Sequence, residues 1–470
     1  MIKAAFWSIF DRILVQLINF AITIIIARYL VPAELSTIAI ITAYIYFLNI
    51  FVDSGLTISI IRNQNISDRE ISAIFVFNLI ISIFLIVLTL FTSNSIEFFF
   101  EVENLSFFLN ISSLILFFNA FSFVRYARLE QKMNFKLLSI INLISIIISG
   151  VVCFIMLKFN YGIMAVVVFN IISSFIKNLL YIIFTPMFKI QRFSFSDFKP
   201  HFYFGKNLLV SSGVEAVYNH AFPVVIAKLY SPHDAGLFFQ SKRLIDGVVG
   251  LISGASRRLF LPIASKEGNN LEKTKELLMK ILKVVNYITI FIVGVFFINS
   301  ELIITSLMGD KWVESVPIFR ILSIGMIFYA PFFLCIDVFK VQGDSHLYSK
   351  LIVYTRIFST VLVLLSSFLG FTYLVYFFSL SQLLMFLYAV IQIHKKYDYS
   401  IGNIFSTIFP FFSIFLLSLC GAYGIVFLDI ENKIFFWGLQ TVVFSLLYTC
   451  LIYFLFKYIP LKATLMKFRK

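Results

Sequence analysis

Four stretches of this sequence set polar and ionisable side chains at helical spacing within otherwise apolar sequence. Ser8, Arg12, Gln16, Asn19 and Thr23 recur every three or four residues, which lays them along one face of a helix. Thr42, Tyr46, Asn49 and Asp53 repeat the pattern, as do Asn207, Ser211, Glu215 and Asn219. Gln240, Arg243 and Asp246 form a fourth stripe, with Lys242 beside it. Lys206 and Arg356 are further cations in apolar surroundings, with Arg320 and Lys177 as weaker ones. Arg offers a planar fork of donors that fits phosphate oxygens, and Lys offers a point charge. Glu215 and Asp246 are carboxylates able to bind a coupling H+ or Na+. Plainer roles compete with these. Arg12, Lys206, Arg243 or Arg356 can snorkel to a membrane interface. Lys242 can pair with Asp246 one turn on. Asn19 and Asn219 can bond helix to helix. No metal-ligand spacing, phosphate-binding glycine loop or nucleophile motif accompanies the stripes, so neither a metal, a cofactor nor an enzyme activity is expected.

The elements that must carry these stripes are transmembrane helices. The chain is 60% hydrophobic and 13% charged, against about 45–50% and about 25% for a soluble domain. Continuous apolar runs, many near the ~20 residues that span a bilayer, exclude a β-barrel. The pattern predicts fourteen spans: 8–28, 35–56, 71–91, 105–124, 137–157, 161–184, 204–228, 235–256, 284–306, 315–337, 347–369, 372–393, 404–427 and 434–456. An ionisable group at bilayer depth is costly, so the stripes should face a wet cavity. The first span is read as a retained helix, not a cleaved signal peptide. Sixty phenylalanines reflect compositional bias more than aromatic function.

A formal net charge of +14 would suggest nucleic acid in a soluble protein. Its placement points to a membrane face instead. With the N-terminus inside, basic residues favour the inner loops roughly five to one, while the outer loops carry Glu97, Glu101, Glu103, Asp429 and Glu431. Both termini are therefore expected in the cytoplasm, with the basic face against anionic membrane lipids. Cys153, Cys335, Cys420 and Cys450 all lie in apolar stretches and are expected to be free, buried thiols.

The chain also repeats itself. Residues 26–34, IARYLVPAE, align without gaps to residues 226–234, IAKLYSPHD. Pro32 matches Pro232, Arg28 matches Lys228 and Glu34 matches Asp234; upstream, Asn19 matches Asn219. Both segments close an outward-running span, so the two halves share one orientation. The expected organisation is a six-helix lobe over 1–184, a cytoplasmic linker over 185–203, a second six-helix lobe over 204–393, and two further helices with a basic tail over 394–470.

Several segments, in order, resemble the polysaccharide transporter family of Wzx-type flippases in the MOP superfamily. They include RILVQLINFAITIIIARYLVPAE from Arg12, FVDSGLTISIIRNQ from Phe51, RLEQKMNF from Arg128, YSPHDAGLFFQSKRL from Tyr230, RLFLPIAS from Arg258 and LMGDKWVESVPIFRIL from Leu307. The glycine usual after the Pro-acidic turn is present as Gly236, whereas Ser36 takes its place in the first half. The resemblance implies a MATE-like fold, with two lobes around a cavity that opens alternately to either side. It implies a polyprenyl-pyrophosphate-linked glycan as substrate, moved to the periplasmic or outer leaflet of the bacterial inner membrane for O-antigen, capsule or exopolysaccharide assembly. A polysaccharide polymerase and a chain-length regulator would be partners. On that reading Arg12, Arg243, Lys206, Lys242 and Arg356 hold the pyrophosphate, and Ser8, Gln16, Asn19, Asn49, Asp53, Asn207, Ser211, Asn219 and Gln240 line the cavity. Competing readings are a drug exporter or peptidoglycan-precursor flippase of the same superfamily, and an O-antigen polymerase. The outer loop near residues 92–104 is too short to build a polymerase site.

Overall fold

The computed structural model describes residues 2–53, 55–63, 66–185, 190–192, 194–266, 270–425 and 433–456. The side chains of 2–13, 204, 206–208, 210, 211, 266, 345, 433–435 and 454–456 lie outside that description. Regular structure among the described residues is entirely helical, as expected for an all-α membrane protein whose backbone must satisfy itself in lipid. The described residues of each of the fourteen expected spans fall mainly on a helix or a helix pair. Eleven of these are long and apolar enough, among the described residues, to cross a membrane. The three that are not are the helices carrying three of the four polar stripes. The described part of the first has only a shorter apolar run, Leu14–Tyr29, and the other two interrupt their apolar runs with Lys, Glu, Arg and Asp.

The chain divides into two compact units, 1–240 and 241–470. The first contains α1 (Ile2–Tyr29), α2 (Pro32–Asp53), α3 (Leu56–Arg62), α4 (Asp68–Phe100), α5 (Leu105–Ser112), α6 (Leu114–Gln131), α7 (Phe135–Lys158), α8 (Ile163–Phe184), α9 (Phe195–Leu229) and the start of α10 (Pro232–Lys266). α2 packs on α9, α1 on α7, and α6 on both α4 and α8. Ile41, Ile45, Leu48, Leu109, Leu116 and Val167 form one apolar core of this unit. Local chemistry sets the helix ends. Ser67 and Glu70 form a reciprocal capping box at the start of α4. Gly55, at φ 69°, turns the chain from α2 into α3.

The sequence repeat is also a repeat of local geometry. Leu30 N–H donates to the Ile26 carbonyl at 2.9 Å, and Tyr230 N–H to the Ile226 carbonyl at 2.9 Å. Glu34 accepts from the Val31 N–H at 2.9 Å, and Ser231, at the corresponding position to Val31, donates its hydroxyl to Asp234 at 2.7 Å. In both turns a Pro opens the next helix, where its missing N–H would have had no partner. A Cβ built on Gly236 would sit 1.8 Å from the Pro32 carbonyl oxygen. The glycine is therefore required by backbone packed on backbone between the two repeated turns.

The second unit holds the rest of α10, α11 (Leu271–Ile298), α12 (Ser300–Met308), α13 (Ser315–Val341), α14 (Ser345–Ser366), α15 (Phe371–Tyr397), α16 (Ile401–Phe405), α17 (Phe409–Tyr423) and α18 (Lys433–Phe456). α13 is its centre, packed on α15, α11 and α14. α17 and α18 pair with each other and lean on α11, where Gly294 leaves room for the Phe444 ring. Cys153 and Cys335 are buried and free, as expected; Cys420 and Cys450 are free but exposed. Among the described residues no helix covers the faces of α17 and α18 on which those two lie, which an apolar stretch alone does not reveal.

Candidate functional site

A polar cavity of about 460 Å³ opens inside the first unit. α2 supplies Tyr46, Asn49 and Asp53; α6 supplies Asn119, Ser122 and Tyr126; α7 supplies Asn142; α8 supplies Lys177 and Tyr181; α9 supplies Ser212 and Glu215. Helical periodicity explains the membership. Tyr46, Asn49 and Asp53 are three and four residues apart, as are Asn119, Ser122 and Tyr126, so each helix turns one narrow polar face inward. The wall is partly fixed by its own bonds. The Asn119 amide donates to the Asn49 carbonyl oxygen at 2.9 Å. Asp53 Oδ1 accepts from the Thr57 hydroxyl at 2.8 Å and its N–H at 3.3 Å, which ties the first turn of α3 to the end of α2. The Tyr46 ring lies tilted against His220 of α9, with ring centroids 4.3 Å apart.

The placement of the expected site residues is uneven. Asn49, Asp53 and Glu215 come together in the cavity, with Lys177 as the one cation among the described lining residues. Ser8, Arg12, Lys206, Asn207 and Ser211 have side chains outside the described residues. Gln16, Asn19 and Asn219 are half-buried, and the Asn19 carbonyl accepts the Thr23 hydroxyl at 2.8 Å. Gln240 is fully buried. Lys242, Arg243 and Asp246 belong to the second unit, where Lys242 forms an ion pair with Asp246. That is the plainer role considered for Lys242 and Asp246, and it reflects their spacing of one helical turn.

Arg356, among the cations expected to hold the pyrophosphate, is 1% exposed. Its guanidinium lies 5.8 and 5.6 Å from the Phe332 and Phe333 ring centroids and 3.8 Å from Met385 Sδ. Soft and aromatic partners from α13 and α15 enclose it. Arg320 is likewise engaged locally, over the Phe297 ring at 5.7 Å.

Two polar constellations were not expected from the sequence. In the second unit, Asp337 of α13 is wholly buried and accepts two bonds from Arg257, at 2.6 and 2.9 Å. Arg257 also donates to the Tyr348 hydroxyl at 3.3 Å and lies over the Phe333 ring at 4.6 Å. In the first unit, buried His201 bridges Ser59 at 2.7 Å and Glu70 at 3.2 Å, pinning the start of α9 to α3 and α4. This start lies in the segment expected to be a linker, which is helical from Phe195. An Asp inside the apolar run FFLCIDVF was the available signal for the first; nothing in the spacing of Ser59, Glu70 and His201 announced the second.

Comparison with known proteins fits this geometry. Residues 25–317 match the family model described as "Polysaccharide biosynthesis protein". A curated relative, an "Uncharacterized membrane protein in cps region" of Klebsiella pneumoniae, is 24% identical over 336 residues, which is 69% of this chain and 67% of that protein. Among solved structures, "Lipid II flippase MurJ, inward closed conformation" aligns with a TM-score of 0.75 at 15% identity, over 97% of this chain and 99% of that one. A multidrug resistance MATE family transporter of the MOP superfamily, in an inward-facing conformation, aligns with a TM-score of 0.61 at 13% identity, over 82% and 98%. At such identities the structural likeness shows the fold, which is that of MurJ and the MATE transporters. The family match covers more than half of the chain: it belongs to the polysaccharide biosynthesis protein family.

Proposed function

We propose that this member of the polysaccharide biosynthesis family is a flippase for a polyprenyl-pyrophosphate-linked oligosaccharide. The observation that carries the reading is the hydrophilic cavity walled by membrane helices in the first unit. A sugar-bearing head group cannot cross hydrocarbon unaided, because each unsatisfied polar group there costs several kcal/mol. A cavity lined by amides, hydroxyls and carboxylates replaces the lost water while the polyprenyl tail stays in lipid. No bond is made or broken, so the chain acts as a transporter and not an enzyme. Transport proceeds by alternating access, with the lobes 1–184 and 204–393 rocking about the 185–203 segment. Both termini face the cytoplasm of a bacterial inner membrane, as the basic inner loops favour. Arg12, Lys206 and Arg243 are the cations assigned to the pyrophosphate. Glu215, on the cavity wall, is the residue assigned to a coupling H+ or Na+.

Deleting the gene in its host should abolish surface polysaccharide and leave its lipid-linked unit on the cytoplasmic leaflet. Wild-type chain should restore export, and Arg12→Ala or Arg243→Ala should not, at equal membrane abundance. Unchanged surface polysaccharide after deletion would refute the reading.

A further inference from the structure

The chemistry of the cavity wall is that of a sugar site more than of a phosphate site. Among its described lining residues there is no Arg, and Lys177 is the one cation. Phosphate recognition draws on guanidinium forks and clustered N–H donors, and these are missing from the described wall. Instead, the amides of Asn49, Asn119 and Asn142 each offer both donors and an acceptor. Tyrosine rings offer flat apolar faces with a polar tip, which suits the mixed surface of a pyranose. A volume of about 460 Å³ lies in the usual range for ligand sites, ~300–1,000 Å³.

Two carboxylates give the wall its selectivity. Asp53 of α2 and Glu215 of α9 line the same cavity, together with Tyr46. An ionised carboxylate only accepts hydrogen bonds. It therefore favours ligand hydroxyls and amines, and it repels a ligand carboxylate. Like charges brought together in one site disfavour binding.

We infer that the cavity of the first unit, through Asp53 and Glu215, is a glycan compartment that accepts sugars bearing free hydroxyls or amines and discriminates against uronic acids. The pyrophosphate is then held outside this compartment. This inference rests on the flippase reading and adds the class of glycan.

The test uses full-length protein in lipid nanodiscs and three synthetic probes. These are a bare polyprenyl pyrophosphate, the same lipid carrying a neutral disaccharide, and the same lipid with a hexuronic acid as its outer sugar. The neutral glycolipid should bind about tenfold or more tighter than the uronate form. In Asp53→Asn/Glu215→Gln the gap should close to within about threefold, by gain of uronate binding, with affinity for the bare lipid unchanged. Equal or tighter binding of the uronate form to the wild-type chain overturns the inference whether or not the double variant folds. So does a gap that persists in a folded variant. If neither glycolipid binds more tightly than the bare lipid, the flippase reading falls as well, which separates the two failures.

Discussion

The cavity wall of the first unit and the α10–α13 contact of the second treat polarity in opposite ways. In the first, Asn49, Asp53, Asn119, Lys177 and Glu215 surround an open cavity, where water or a ligand can meet them. In the second, charges are packed against partners. Asp337 is closed off by the Arg257 fork, and Arg356 is enclosed by Phe332, Phe333 and Met385. Polar groups that face a cavity cost little to keep and can serve a passing ligand. Polar groups in a dry core must be matched to each other, so they hold helices in place. Substitutions should therefore separate the units, with function lost first in one and stability lost first in the other.

The largest effect on stability should come from the second unit. Arg257→Ala removes the two-bond partner of buried Asp337 and leaves Lys340, 3.9 Å away, as a weaker counter-charge; breaking such a buried pair costs about 3 kcal/mol. Thermal unfolding of the detergent-purified protein should show a clear loss, and Arg257→Ala/Asp337→Ala should recover much of it. By contrast, Glu215→Gln at the exposed cavity wall should change stability by no more than about 0.5 kcal/mol while impairing glycan export. A stability loss at Glu215 equal to that at Arg257 would erase the contrast.

An intermediate effect is expected where the repeated turns meet. Gly236→Ala forces a methyl into the Pro32 backbone, costing about 1–3 kcal/mol as overpacking. The control is Gly213→Ala in α9, whose added methyl meets nothing within 4 Å; it should stabilise by about 0.5–1 kcal/mol through helix propensity.

The smallest effect lies at the membrane edge of the second unit. The Lys396 ammonium, with the Leu347 N–H, holds the Asp344 carboxyl below the usual carboxylate range. Such a group contributes stability above its unfolded pKa of about 3.9, and that contribution is lost as pH falls through the lower folded value. Lys396→Ala should therefore separate slightly from wild type in thermal unfolding above about pH 4 and converge with it in acid. A difference that grows toward acid pH would reverse the sign.

Much of this molecule can be read from sequence because a bilayer simplifies the rules. Apolar runs of fixed length and the IARYLVPAE repeat led to the helices, and the stripes led to Asn49, Asp53 and Glu215. What sequence could not supply was partnership across helices. Asn119, Ser122 and Asn142 are ordinary polar residues in apolar spans until α6 and α7 turn them to the same cavity. Arg257 reads as one of several loop cations until α10 extends to Lys266 and sets it against Asp337. Arg356 shows the same limit: the rings of Phe332 and Phe333 and the Met385 thioether that lie against it carry no signature in a hydropathy pattern.

The central claim is that this chain moves a lipid-linked glycan between leaflets through the first unit's cavity. The most direct measurement is reconstitution of the full chain into proteoliposomes containing a fluorescent polyprenyl-pyrophosphate-linked oligosaccharide in the inner leaflet. Appearance of the glycan outside is followed with an impermeant glycosidase. The account predicts release that depends on the protein and is slowed about tenfold or more by Asp53→Asn/Glu215→Gln, as expected when interactions worth at least about 1.4 kcal/mol are removed from the transition state. Release no faster than in protein-free vesicles, or release unaffected by the double substitution, would contradict it.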